Sequence, residues 1–177
     1  MNAALSPVGM RFSAKHSQIG LISLHGNSPE EWRPQVEAYK KMAREEFGRE
    51  IQLWTNASVV QRESRKEAED YLNRYSAEYV DKEALDSMML TISRENNIPA
   101  DSPQLAFMRG RMARGAGHPL VGTAQQIADE LIAVSRVGVD GVIMTWLDYI
   151  DGLNRFTRDV LPLLEQAGLR KPFVCPA

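Results

Sequence analysis

The chain has 177 residues, 44% of them hydrophobic and 25% charged, with a formal net charge of −2. That length supports one domain with a sizeable core, and the interspersed charges leave no basic stripe for nucleic acid. No apolar run approaches the roughly 18 residues of a membrane span, no signal-peptide pattern opens the chain, and the single cysteine, Cys175 in the tail, rules out a disulfide framework; a cytoplasmic protein is expected.

Ser6-Pro7 is an N-cap followed by proline at the first helical position, which predicts a short helix to about His16. Ile19 to Leu24 is a strand candidate. Ser28 and Glu31 have capping-box spacing and open a helix that runs to Phe47 and stops at Gly48. Ile51 to Val60 is rich in strand formers. Ser64 and Glu67 repeat the capping-box spacing for a helix to about Tyr79. Asp81 to Glu95 follows, with Leu85, Met88, Met89 and Ile92 as an apolar stripe.

Residues 96–118 mix proline, glycine and arginine, are too long for an ordinary connection, and read as a lid-like loop. Thr123 and Gln126 then open a helix whose apolar side is Ile127, Leu131, Ile132 and Val134, ended by Gly138. Asp140-Gly141 leads into the run Val142 to Trp146, suited to a parallel strand covered on both faces. A last helix presents Leu153, Phe156, Val160, Leu161 and Leu164 before Gly168. The alternation predicts a parallel α/β arrangement in one domain, residues 1–177. Only three strands are clear, which cannot close a barrel and leaves unpaired edges.

Several segments carry a resemblance: PLVGT followed by QxIADEL, GVDGVIMTW, the pattern F(x3)VLPLLEQAGLR, and the opening MNAALSPVGMRFSAKHSQIGLIS. Together they resemble the C-terminal half of bacterial luciferase-like flavin monooxygenases, in the branch that oxidises sulfones, alkanesulfonates and pyrimidines. The resemblance runs from about Asn2 to Arg170. It implies half of a TIM-type (β/α)8 barrel with an inserted helical or lid segment, whereas complete barrels need about 250 residues. A truncated product, a fragment, or one part of a two-chain assembly is therefore expected, with a homodimer or a complementing N-terminal half covering the open surface.

The Ser6–Gly9 turn reads either as a plain N-cap or as an anion site, because free backbone N–H groups gather behind the serine. The resemblance implies that Ser6, Pro7, Val8, Gly9 and Met10 hold the phosphate of FMN. Arg109, Arg111 and Arg114 lie in a segment that can grip an anion or be a solvated loop; the resemblance implies a lid, with Arg111 and Arg114 as its contributors. His25 follows a strand, so it sits where catalytic groups gather in a barrel, or it is a surface histidine. Trp54 reads as core.

Trp146, just beyond the last strand, can pack against a flat ring. The resemblance often has an aromatic there, but elsewhere a tyrosine near this point, where this chain has Leu147. His16, His25 and His118 fall on separate elements, so no metal cluster is expected, and no nucleophile triad is apparent. The implied function is oxidation of a small organosulfur or heterocyclic substrate using reduced FMN supplied by a separate reductase. The alternative is a non-catalytic, dimerising remnant.

Overall fold

In the computed structural model, residues 1–3 and 6–172 are described; Cys175 lies outside them. The elements in chain order are β1 (Asn2–Ala3), α1 (Pro7–His16), β2 (Ile19–Leu21), α2 (Pro29–Phe47), β3 (Gln52–Gln61), α3 (Arg65–Asn73), α4 (Lys82–Asn96), α5 (Pro103–Ala113), β4 (His118–Gly122), α6 (Ala124–Arg136), β5 (Gly141–Thr145), α7 (Tyr149–Arg155) and α8 (Leu161–Gln166). A wide π turn continues α3 over Arg74–Glu78, and another joins α7 to α8 over Phe156–Val160.

All pairings among these strands are parallel. β1 pairs β2, and β2 pairs the start of β3 with Leu21 opposite Trp54. β5 pairs the middle of β3, with Gly141 opposite Trp54 and Thr145 opposite Ser58. Because Trp54 is flanked by both β2 and β5, these two strands occupy opposite edges of β3. β4 pairs the C-terminal half of β3, from Ala57 opposite His118 to Gln61 opposite Gly122, so it extends the β2 edge where β2 leaves off. The order β1, β2, β3, β5 with helical crossovers is a barrel segment, and the α/β half-barrel expectation holds.

Alternation along the strands assigns their faces. Leu53, Ala57 and Val59 of β3 point to the helices and are buried there. One core joins β2 and β3 to α2 through Trp32, Val36, Tyr39 and Leu53; a second joins β3 to α6 and the last helices through Leu120, Ile127, Leu131, Phe156 and Val160. Each such fully buried side chain contributes about 1.5–3 kcal/mol of transfer free energy. Gly20 lets α2 approach β2: a Cβ there would stand 2.9 Å from the Tyr39 hydroxyl oxygen. The opposite, concave face carries Trp54 and Asn56, both only half-buried. Trp54 thus faces the barrel interior and is not the core residue expected. Asp140 pins the β3–β5 junction by accepting from the Leu53 N–H at 2.8 Å and pairing with Lys40 at 2.7 Å.

Local chemistry confirms some helix starts and corrects others. Thr123 and Gln126 form the expected reciprocal capping box, with Gln126 Oε1 accepting from Thr123 N at 3.0 Å. Gly48 takes the left-handed conformation that ends α2. Ser28 makes no cap bond to the backbone; Glu31 instead reaches past it and accepts from Asn27 N at 2.7 Å. Segment 96–118 is not one irregular loop. Ser102 caps α5, and α5 packs on α4 through Leu85, Met89 and Leu105, whose small core leaves Met88 exposed. Its last residue begins β4, a strand that the sequence reading lacked, as it lacked β1. Leu153 is likewise exposed rather than packed.

Candidate functional site

Parallel order puts every strand's carboxyl end on one side of the sheet, where ligand sites of such folds lie. Ser6 follows β1, His25 follows β2 and Trp146 follows β5, so the three share that side. A cleft of about 320 Å³ opens beyond the carboxyl end of β2, beside the start of β4, and His25, Arg111 and Arg114 all line it. The structure therefore brings together the three residues expected to face substrate. Trp32, Leu24, Phe107 and Val121 supply apolar wall.

The His25 loop is held from α2. Gln35 pairs with both backbone groups of His25: its Oε1 accepts the N–H at 3.0 Å, and its Nε2 donates to the carbonyl at 2.7 Å. The Trp32 indole N–H donates to Gly26 O at 3.2 Å, and Glu31 accepts from Asn27 N. Residues 31, 32 and 35 share one helix face by their spacing, so one side of α2 fixes the loop while the His25 side chain stays exposed.

Arg111 and Arg114 come from the end of α5. Arg111 donates to Ala116 O at 2.9 Å, folding the glycine turn back on the helix. Neither arginine is paired with a carboxylate among the described residues, whereas Arg109 is paired with Asp86. Gly115 and Gly117 bring this turn against β3. A Cβ on Gly117 would lie 2.8 Å from the backbone of Ala57 and Ser58, and Ser58 Oγ donates to Gly115 O at 3.0 Å. Tyr75, from the π turn after α3, forms the facing wall. Burial raises its phenol above the ordinary range, Tyr71 adds to this, and the Arg114 cation opposes it, so the hydroxyl stays a donor at neutral pH.

The Ser6 turn lies outside this cleft. Ser6 Oγ accepts from Gly9 N at 3.1 Å, and Met10 N donates to Ser6 O. Pro7 has no N–H, Val8 N–H has no partner among the described residues, and the first turn of α1 contains no acidic residue. Ser6, Pro7 and Val8 are exposed, with Gly9 and Met10 half-buried. Trp146 does not line the cleft either. α7 and the π turn that follows cover it: Tyr149 and Phe156 meet its ring edge-on, each at 5.8 Å, and a Cβ on Gly152 would stand 2.2 Å from its Cδ1. Around it, Gln61 donates to Asp159 at 2.8 Å and Arg155 pairs with Asp151 and Glu63.

Among the cleft residues to which the sequence reading gave no site role are Ser58, Tyr75, His118 and Glu130. His118 opens β4 rather than sitting in a loop. Its Nε2 is 2.8 Å from Glu130 Oε1, its ring meets Trp32 edge-on at 5.0 Å, and its side chain is 8% exposed. The one available signal was the His118–Glu130 spacing across a strand and a helix turn, which has meaning only once β4 is recognised. Among the described residues no group of three or more His, Cys, Asp and Glu can hold a metal, and no helix is long and apolar enough to cross a membrane.

The chain is similar in sequence and in fold to known proteins. The chain is 29% identical over 166 residues to the pyrimidine monooxygenase RutA of Cronobacter sakazakii, spanning 92% of this chain and 48% of that protein. It is 29% identical over 153 residues to the FMNH2-dependent dimethylsulfone monooxygenase of Pseudomonas putida, spanning 80% and 40% respectively. The chain thus covers under half the length of these relatives. Its fold superposes on DmoA from Hyphomicrobium sulfonivorans with a TM-score of 0.76 at 21% identity, and on the long-chain alkane monooxygenase LadA with 0.73 at 22%; each match covers 98% of this chain and 42% of the other. The family model for luciferase-like monooxygenases matches residues 1–141, most of the chain, which therefore belongs to the luciferase-like monooxygenase family.

Proposed function

We propose that this chain supplies the C-terminal half of a flavin-dependent monooxygenase site, acting on a small organosulfur or heterocyclic substrate with reduced FMN from a separate reductase. The supporting observation is the convergence of His25, Arg111 and Arg114 in one cleft beyond the carboxyl end of β2, while the Ser6 turn follows the carboxyl end of β1. That turn fits a phosphate. Ser6 Oγ accepts within the cap and keeps its hydrogen to donate, Val8 N–H has no partner among the described residues, and the first turn of α1 carries no acidic residue.

In this reading Ser6 to Met10 hold the FMN phosphate, and Trp146 closes the far end of the strand row. When bound, the flavin supplies the activation of O2. The chain's own part is to bind and orient. The α2 clamp holds the His25 loop, Arg111 and Arg114 attract and position negative charge, Tyr75 donates a hydrogen bond, and the apolar walls exclude water. The partly exposed concave face, together with exposed Val8, Phe12, Leu147, Ile150 and Leu153, favours cover by a complementing half-barrel or a second copy.

Titration of the purified chain with FMN and with riboflavin, followed by flavin fluorescence, tests the reading. FMN is expected to bind saturably and more tightly than riboflavin, with Ser6→Asp weakening FMN about tenfold or more and leaving riboflavin unchanged. Equal, Ser6-independent binding of both flavins would contradict the phosphate assignment.

A further inference from the structure

His118 and Glu130 form a carboxylate–imidazole pair inside the cleft that the roles above leave unused. Glu130, in the second turn of α6, stands 2.8 Å from His118 Nε2, and the Trp32 edge fixes the ring plane at an interplanar angle of 89°. An ionised carboxylate can only accept, so in the neutral ring Nε2 carries the hydrogen donated to Glu130 and Nδ1 the lone pair. Nδ1 has no hydrogen-bond partner among the described residues, and it is not among the side-chain atoms sealed from solvent without one. The His118 ring lines the cleft.

We propose that His118 is the proton-accepting residue of the cleft and Glu130 its positioning residue, serving a small ligand with an ionisable N–H or O–H on a flat, apolar body. In the step, the ligand's N–H or O–H bond breaks, its electron pair stays on the ligand, and the proton forms a new N–H bond at His118 Nδ1. The imidazolium so formed faces Glu130, and the ligand anion faces Arg111 and Arg114. Both products of the transfer therefore meet opposite charge in a partly desolvated site. The other titratable groups on the cleft wall are His25 and Tyr75. An ionised ligand is more electron-rich, which suits it to accept an oxygen atom. The inference thus rests on the cleft being the substrate end of the proposed site.

4-Nitrophenol is a direct probe, because its phenolate absorbs in the visible and its neutral form does not. At about one pH unit below the probe's own pKa, roughly one-tenth of the free probe is ionised. Bound to the wild-type chain it is expected to be mostly phenolate. His118→Gln should lose that band, and Glu130→Gln should reduce it several-fold while retaining the base. Binding of neutral 4-nitroanisole, followed by tryptophan quenching, should be unchanged in both, which a merely structural role for the pair would not produce. Probe bound as neutral phenol, or a phenolate band that survives His118→Gln, would overturn the proposal. FMN affinity in the same samples separates the two readings. FMN binding with no His118-dependent band defeats the proton-accepting role alone. A His118-dependent band with no FMN binding supports that role and defeats the flavin reading.

Discussion

Single residues set this site by where they permit contact. Gly117 is the clearest case, because β3 backbone occupies the space its Cβ would take. Backbone cannot swing aside as a side chain can, so Gly117→Ala is expected to destabilise by about 2–3 kcal/mol or more and to displace the arginine turn, measured as a lowered urea midpoint. Gln35 acts differently, since its two bonds to His25 fix a loop rather than fill a core. Gln35→Glu keeps the acceptor and loses the donor toward the His25 carbonyl, so ligand affinity in the cleft should fall at neutral pH and recover in acid, where a protonated carboxyl again donates. Equal affinity at both pH values would dismiss the clamp. Asp159 gives a stability test with a defined sign. The Arg158 hydrogen bond, against desolvation, lowers its pKa below 3.8. Its contribution is therefore present above that value and lost as pH falls through the lower folded one. Asp159→Asn should be slightly less stable than wild type at neutral pH, with the gap closing in acid. At this scale the sequence and the resemblance together named His25, Arg111 and Arg114, which the structure brings to one cleft, and Ser6, which lies outside it. Tyr75 was not named, because the π turn that directs it into the cleft has no sequence signature.

Elements were legible where local chemistry and burial agree. Thr123 with Gln126, Ser6-Pro7 and Gly48 each mark a helix end that the structure reproduces, and Thr123→Ala should cost about 1 kcal/mol in thermal or denaturant unfolding. Ser102-Pro103 is the same signature as Ser6-Pro7, yet arginine and glycine further along masked α5. Ser28 shows the converse: the spacing of a capping box was present, but Glu31 found a better donor in the Asn27 N–H. β4 was hidden for a tertiary reason. His118-Pro119 does not look like a strand, and it becomes one because β3 runs on beyond β2 and offers a free edge. That single pairing carries His118 to the cleft, so the feature least visible in the sequence positions the residue to which the proton-accepting role is assigned.

The whole molecule is a row of four parallel strands with a fifth extending one edge, helices on one face and a concave face half open. β1 and β5 end the row, and exposed Val8, Phe12, Leu147 and Ile150 flank them. Such edges and patches seek cover, so the chain alone should self-associate in a concentration-dependent way by sedimentation, and a stable monomer at high concentration would argue against an open half-barrel. The central claim is that cofactor and substrate meet this chain on one side of the sheet, beyond the carboxyl ends of β1 and β2 and at the turn that opens β4. Backbone amide NMR during FMN titration tests it most directly. The account predicts shifts confined to Val8–Met10, His25–Asn27 and the 115–118 turn. Shifts centred instead on the amino ends of β1, β2, β3 and β5, or on the outer faces of the helices, would contradict it.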